Sequence, residues 1–147
     1  MLHGGRVMRQ RVHLITLGVD DLERARAFYE ALGWTPAAAP EGLVAFDLWG
    51  ATLALYRRAD LARDMGRALP RGSGAITLAC NVREKTEVAA VIEAARAAGA
   101  EIIKEPHDMA WGGHIAFFAD PDGHVWEVAL NPGAPLGPND EFQWRGA

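Results

Sequence analysis

The chain is most informative in the segment Phe117-Phe118-Ala119-Asp120-Pro121-Asp122-Gly123-His124-Val125-Trp126-Glu127-Val128-Ala129-Leu130-Asn131-Pro132. Apolar and aromatic residues fill both ends of this segment, which is typical of β-strands. Between them lies Asp120-Pro121-Asp122-Gly123, where proline fixes φ and glycine accepts a positive φ. The segment therefore predicts a strand, a tight turn and a second strand.

The second strand carries one charged residue, Glu127. Side chains alternate along a strand, so Glu127 shares its face with Val125 and Ala129 and lies opposite Trp126. A carboxylate among so many apolar groups needs water, a cation or a metal as a partner. Glu127 is therefore the first candidate for a functional residue.

The order of elements repeats once along the chain. Ile76-Thr77-Leu78 repeats Ile15-Thr16-Leu17 at an offset of 61 residues, since 76 − 15 = 61. At the same offset, Asp20 and Asn81 are predicted to begin the two helices that follow. Internal duplication of this kind is a strong indication of architecture. Periodicity predicts strands at 12–19, 43–48, 52–57, 76–78, 101–104, 113–119 and 124–130, and helices at 22–32 and 88–98.

The phrase F-x-DPDGH-x-WE-V, together with the repeat, resembles the closing hairpin of the glyoxalase, bleomycin-resistance and ring-cleaving dioxygenase superfamily. The resemblance implies an α+β fold of two βαβββ modules, at 12–71 and 72–131. Their strands are expected to form a curved, half-open, eight-stranded mixed sheet with helices on its convex side. Tails at 1–11 and 132–147 flank this single domain.

By this resemblance, the concave side of the sheet forms a cup that holds a ligand. Glu127 is the candidate catalytic residue within it, and the aromatic ring of Trp111 is expected at the rim or covering the edge of the core. The residues expected to contact a ligand are Leu14, Thr16, Ala54, Tyr56, Ala75, Thr77, Trp111, Phe117 and Glu127.

Metal-using members of the superfamily carry ligands at four cup positions, which fall here on Leu14, Ala54, Ala75 and Glu127. Only Glu127 has a donor atom, whereas a divalent site normally needs three or four protein ligands. No metal or other cofactor is therefore predicted. If a metal binds, Glu127 would hold it with His13 or His114.

Two interpretations of Glu127 remain open at this stage. It accepts a hydrogen bond from a ligand or acts as a base, or it forms an ion pair with an arginine of residues 57–71. Three functions follow from these alternatives. They are a metal-free binder of a small organic molecule, a glyoxalase-like metal-dependent lyase, isomerase or dioxygenase, and a scaffold with a vestigial cup.

Composition limits the partners. The chain has 147 residues, a net charge of −4 and no basic stripe, which argues against nucleic acid. No apolar run approaches the ~18 residues of a membrane span, and residues 1–11 lack the features of a targeting peptide. The single cysteine, Cys80, favours a cytoplasmic location. The family resemblance implies a homodimer.

Overall fold

The computed structural model of the protein describes residues 7–71 and 74–142. It contains seven strands and three helices in the described part of the chain. In order they are β1 (Leu14–Val19), α1 (Leu22–Ala31), β2 (Leu43–Asp47), β3 (Thr52–Arg57), α2 (Arg58–Met65), β4 (Leu78–Asn81), α3 (Lys85–Ala97), β5 (Glu101–Asp108), β6 (His114–Ala119) and β7 (Val125–Leu130).

The strands form two open sheets, one in each module. In the first, β3 lies between β1 and β2, and β1 runs parallel to β3. In the second, the order is β4-β7-β6-β5, and β4 runs parallel to β7. The α+β class and the two modules are thus confirmed.

The predicted count of eight strands in one sheet is wrong for the described residues, which form seven strands in two sheets. The missing strand belongs to the first module, where Ala38 makes only an isolated bridge to Ala45. Pro36 and Pro40 flank this bridge. Neither proline has a backbone N–H to donate to a ladder, so pairing cannot extend along this segment.

The two modules correspond at an offset of 63 residues, not 61. Helix α1 begins after Asp21, whose side chain accepts a hydrogen bond from the Arg24 backbone at 3.1 Å, and α3 begins after Glu84. The prediction that Asp20 and Asn81 begin the helices is therefore wrong. The strand pairing agrees with this shift. Ile15 of β1 pairs with Leu53 of β3, and Leu78 of β4, which lies 63 residues after Ile15, pairs with Trp126 of β7. The two-residue change leaves every side chain on its predicted face.

Helices α1 and α3 pack on the same side of the sheets and bury a shared core. Phe28 and Tyr29 of α1 meet Phe118 and Trp126 of the second module, with ring centroids 6.0 and 6.1 Å apart. Val88 and Ile92 of α3 are fully buried in the same cluster. Aromatic contacts of this kind add to the free energy gained from apolar burial. The two modules are therefore joined into one folded unit.

The turn between β6 and β7 also joins the modules, through polar bonds. Asp120 accepts hydrogen bonds from the backbones of Asp122 and His124, each at 2.9 Å, and from the hydroxyl of Tyr29 at 2.6 Å. His124 Nε2 donates to the carbonyl of Gly18 at 2.8 Å. We call residues 120–124, with these bonds between the two modules, the clasp.

Helix α2 lies on the opposite side of the first sheet from α1. Leu17 and Val19 of β1 face the core, so Gly18 between them faces away from it. A Cβ atom at Gly18 would lie 3.5 Å from Leu61 of α2. The cup face of the first sheet is therefore covered in part by α2. No helix in residues 7–71 and 74–142 is both long and apolar enough to span a membrane.

Candidate functional site

A pocket of about 790 Å³ opens on the cup face of the second sheet and at the edge of β4. Volumes of about 300–1,000 Å³ are usual for small-molecule sites. Four of its residues come in pairs from neighbouring strands, Ala79 beside Glu127 and Asn81 beside Ala129. The remaining lining residues are Trp34, Leu48, Cys80, Val82, Arg83, Glu87, Trp111, Trp126, Asn131, Leu136, Asp140 and Phe142.

Glu127 contributes a carboxylate from the middle of β7 to this pocket. Its side chain is half-buried, and no described residue forms a hydrogen bond or ion pair with it. Four of the five arginines of residues 57–71 are engaged elsewhere: Arg57 and Arg63 pair with Asp60, and Arg58 and Arg71 pair with Asp20. The fifth, Arg67, forms no ion pair with Glu127. The alternative in which Glu127 forms a structural ion pair with this segment is not realised among the described residues.

The only basic residue that lines the described pocket is Arg83, and its guanidinium holds the tail in place. Nη2 donates to the carbonyl of Gly137 at 2.5 Å and to the carboxylate of Asp140 at 2.8 Å. Nη1 donates to the carbonyl of Leu136 at 3.3 Å. Arg83 thus closes one side of the pocket with residues 136–140, and its charge is matched by Asp140. The charge of Glu127 is left uncompensated.

Trp111 forms part of the pocket wall because of the two glycines that follow it. Gly112 has a φ of +100°, and a Cβ atom at Gly113 would collide with the indole ring of Trp111. The absence of side chains at these positions lets the indole lie across the start of β6. Trp111 is exposed by 54%, a large surface for a stacking ligand.

Cys80 lies in the same wall but is not an activated nucleophile. Partial burial raises the pKa of its thiol above the ordinary value, and the nearby carboxylates of Asp140 and Glu87 raise it further. A thiol with a raised pKa is mostly protonated at neutral pH and reacts slowly. Cys80 therefore contributes polarisable surface rather than covalent chemistry.

The other predicted ligand contacts lie outside this pocket. Thr16 lines a second, smaller cavity beneath α2. Ala54 is fully buried, and Tyr56 donates its hydroxyl proton to Asp64 of α2 at 2.8 Å, a bond that raises the pKa of Tyr56. Leu14, Ala75 and Thr77 are exposed, and Phe117 pairs with Glu127 at the neighbouring strand position. Of the nine predicted contacts, the structure brings together Trp111 and Glu127 in the pocket.

The residues present do not fit a divalent metal at the family's position. With the corrected offset, the residue equivalent to Leu14 in the second module is Thr77 rather than Ala75. His114 lies on the helix-facing side of β6, where its Nδ1 bonds to Asp108 at 2.8 Å. His13 is exposed and precedes β1. Within the described ranges, no three His, Cys, Asp or Glu side chains converge on one point.

Sequence reasoning missed the residues that complete the pocket from other parts of the chain. Trp34 and Leu48 come from the first module, and Leu136 and Asp140 from the tail. The aromatic residues of the tail, Phe142 and Trp144, are the one available signal, because exposed aromatics in a Pro- and Gly-rich tail predict docking. Phe142 does line the pocket, and Trp144 lies outside the described residues.

Three solved structures resemble the chain. A glyoxalase-related enzyme from Fulvimarina pelagi has 37% identity and a TM-score of 0.89, covering 94% of this chain and 100% of its own. A glyoxalase/bleomycin resistance protein/dioxygenase from Nocardioides has 28% identity and a TM-score of 0.72, covering 90% and 91%. A lactoylglutathione lyase from Agrobacterium tumefaciens, with 24% identity, a TM-score of 0.66 and coverage of 84% and 96%, shows the fold alone.

No curated protein matches the chain in sequence. The family model of the glyoxalase/bleomycin resistance protein/dioxygenase superfamily, however, matches residues 11–128. This span includes the first module, the clasp and all but the last three residues of the second module, and it contains Trp126-Glu127-Val128. On this match, the chain belongs to the glyoxalase/bleomycin resistance protein/dioxygenase superfamily.

Proposed function

We propose that the protein binds a small, flat organic molecule that carries a positive charge or a strong hydrogen-bond donor, and that it does so without a bound metal. The observation that supports this is the carboxylate of Glu127, which has no partner among the described residues and lies in a pocket walled by aromatic rings. In this proposal Glu127 accepts a hydrogen bond from the ligand's donor group and matches its charge.

The aromatic rings favour a flat ligand. Trp111 is 54% exposed in the pocket, whereas Trp126 is only 6% exposed and packs edge to face against Trp34, with ring centroids 5.7 Å apart. Aromatic faces attract cations and stack with planar groups, with roughly 0.5–2 kcal/mol from each cation–π contact. A planar cation would therefore use both the ring of Trp111 and the carboxylate of Glu127, whereas an anion would be repelled by Glu127.

The chemistry of the donor positions supports binding without a metal. Three of the four positions that metal-using members would use carry carbon side chains or, at Thr77, a hydroxyl. One carboxylate supplies too few ligands for a tight divalent site. No step of the proposed function therefore passes through a metal.

A glyoxalase-like lyase, isomerase or dioxygenase is the second candidate, favoured by the description of the Fulvimarina pelagi protein as a glyoxalase-related enzyme. In that case Glu127 would act as a base toward the bound molecule. The two candidates differ in one observable: an enzyme converts its ligand, and a binder returns it unchanged after incubation, which a proton NMR spectrum of the mixture measures.

The test is a thermal-shift screen with flat aromatic cations such as 9-aminoacridine, their neutral analogues such as acridone, and divalent metal salts. A ligand that binds only the folded state raises the free energy of unfolding, by about 2.7 kcal/mol when its concentration is about 100 times its Kd. This stabilisation is observed as a higher Tm. We expect the cation to raise Tm, and the neutral analogue and the metals to raise it less. Stabilisation by a metal alone would refute the proposal.

We further propose that the protein is a cytoplasmic homodimer. Strands β1 and β4 lie at the ends of their sheets, and Leu14 near the edge of β1 is 53% exposed. Unpaired strand edges with apolar residues favour association. Light scattering coupled to size-exclusion chromatography measures the mass directly, and a monomer at micromolar concentration would contradict the dimer.

A further inference from the structure

We propose that a second cavity, beneath α2, binds a small amphipathic anion: a monocarboxylate with an apolar chain or ring. This cavity has a volume of about 370 Å³ and shares no lining residue with the pocket that contains Glu127. Its size lies within the range of about 300–1,000 Å³ that is usual for ligand sites. The proposal does not rest on the function proposed for the larger pocket.

The walls of this cavity are almost entirely apolar. Helix α2 and the loop after it contribute Leu61, Met65 and Leu69, and the strands β1, β4 and β7 contribute Leu17, Leu78 and Val125. Met65 is 51% exposed and lies at the opening. An apolar cavity with an open rim favours the hydrocarbon part of a ligand, by roughly 0.8 kcal/mol for each buried CH₂ group.

One end of the cavity is cationic. Among the described residues that line it, Arg58 is the only one with a permanent charge, and none is acidic. The other titratable lining residue, His124, uses its Nε2 to donate to the carbonyl of Gly18. The charge on Arg58 is not fully matched, because its partner Asp20 is shared with the guanidinium of Arg71. The neighbouring carboxylate of Asp122 bonds to the backbone of Asp20 and is itself paired with Arg24, so two guanidinium groups share the carboxylate of Asp20 beside an apolar cavity.

Arg58 also has an unused donor. Its Nε donates to Asp20 and its Nη1 to the carbonyl of Pro70, both at 2.8 Å. Its Nη2 is buried and has no hydrogen-bond partner among the described residues. A buried donor without an acceptor is unfavourable, and arginine binds carboxylates through two parallel N–H donors. Because Nη2 is buried, a ligand carboxylate would become its acceptor after the guanidinium turns toward the cavity.

Glycine and the clasp keep the cavity open. Gly18 faces α2, and a Cβ atom there would lie 3.5 Å from Leu61 and 3.7 Å from Leu69. The absence of a side chain at this position leaves space between β1 and the helix. The bond from His124 to Gly18 fixes this part of β1 against the second module. The cavity thus lies where β1, α2 and the clasp meet.

The test titrates the wild-type protein with octanoate, 3-phenylpropanoate and the neutral octan-1-ol. Titration calorimetry gives Kd, and two-dimensional amide NMR gives the location. We expect both acids to bind once per chain and to shift the amide signals of Leu61, Leu69 and Val125, but not those of Ala79 and Glu127. The relative affinity of the two acids distinguishes a chain from a ring as the apolar part.

Matched variants test the role of the cation. Arg58→Gln should raise the Kd of octanoate at least tenfold, whereas Arg71→Gln, which removes a neighbouring positive charge but no residue that lines the cavity, should raise it by a smaller factor. Leu61→Trp should abolish binding by filling the cavity while leaving both arginines. Glu127→Gln should leave octanoate binding unchanged, which separates this site from the proposed function of the larger pocket.

Four results would overturn the proposal: no saturable binding of either acid, equal losses in Arg58→Gln and Arg71→Gln, equal affinity for octan-1-ol and octanoate, or shifts confined to the larger pocket. If Arg58→Gln does not fold, the NMR map of the wild-type protein and the Leu61→Trp variant decide the question without it.

Discussion

Two carboxylates of one hairpin, Asp120 and Glu127, are placed in opposite environments. Asp120 is 4% exposed and accepts three hydrogen bonds, one of them from Tyr29 in the other module. Glu127 is half-buried and accepts none from the described residues. The hydrogen-bonding capacity of Asp120 is used within the fold, and that of Glu127 is available to a ligand. Two acids in one sequence motif thus occupy different environments.

The difference follows from where each side chain points. Asp120 lies at the end of β6, where the turn brings it against α1, and the hydroxyl of Tyr29 in turn accepts a hydrogen bond from Trp126 Nε1 at 3.0 Å. Glu127 points to the other face of the sheet, away from both large helices. A polar residue on the core side must be satisfied by the protein itself, whereas one on the cup side is open to a ligand.

The largest effect is expected for Asp120→Ala. The substitution leaves the Tyr29 hydroxyl and two backbone N–H groups without their acceptor, and each buried unpaired group costs about 1–3 kcal/mol. We expect the free energy of unfolding, measured by urea denaturation, to fall by about 3–5 kcal/mol. The matched variant Glu127→Ala should change it by less than about 0.5 kcal/mol. Equal losses in the two variants would remove the distinction between the two acids.

Tyr29→Phe is expected to have the next largest effect. It removes the hydroxyl that joins Asp120 to Trp126, which should cost about 1–3 kcal/mol at neutral pH. Burial raises the pKa of Tyr29 above its ordinary value, and the neighbouring Asp120 adds to this. Since the folded-state pKa is the higher one, the stabilisation is fully present below about pH 10 and is lost as pH rises above it.

Stability measured between pH 8 and 11.5 checks this sign. The wild-type protein should lose stability above about pH 10 more steeply than Tyr29→Phe, which retains Tyr56 as its remaining tyrosine. Parallel curves for the two proteins would show that the buried hydroxyl does not contribute to the alkaline transition.

Glu127→Gln should weaken the binding of a cationic ligand without altering the fold. The substitution keeps the shape of the side chain and removes its charge, so we expect the Kd for 9-aminoacridine to rise about tenfold, equivalent to about 1.4 kcal/mol. Trp111→Ala serves as a second probe and should weaken cationic and neutral flat ligands alike, because it removes stacking surface rather than charge. A Glu127→Gln protein with unchanged affinity would show that the carboxylate does not contact the ligand.

The smallest effect is expected at the turn between β2 and β3, which, among the described residues, does not form hydrogen bonds between the modules like those of the clasp. Trp49 has a φ of +60° and is 83% exposed, so it is strained and has little packing to lose. Asparagine tolerates this left-handed conformation better than tryptophan. Trp49→Asn should therefore stabilise the protein, by about 0.5–1 kcal/mol in thermal unfolding, in contrast to any substitution at Asp120. A destabilised variant would show that Trp49 makes contacts that matter.

Local patterns in the sequence predicted the parts of the fold that depend on local physics. The turn at Asp120-Pro121-Asp122-Gly123 and the facing of Glu127 follow from turn chemistry and strand alternation, and both hold in the structure. The repeat predicted two modules, but the match of Ile-Thr-Leu at an offset of 61 gave the wrong register. A match of three residues was too short to determine the offset, which the strand pairing determines.

Contacts between distant residues could not be predicted in the same way. His124 bonds to Gly18 across 106 positions of sequence, and Tyr29 to Asp120 across 91. Neither bond leaves a periodic pattern, because each depends on how the two modules pack. The position of α2 on the cup face of the first sheet is of the same kind, and it explains why Ala54 and Tyr56 are covered rather than open to a ligand.

The most direct test of the distinction between the two acids is a calorimetric titration of chelator-treated protein with 9-aminoacridine, for the wild type and Glu127→Gln. The account predicts that the wild type binds with the same Kd before and after chelation, and that Glu127→Gln binds at least tenfold more weakly. Loss of binding on chelation, with recovery on addition of Zn²⁺ or Mn²⁺, would contradict it, as would equal affinity in the two proteins.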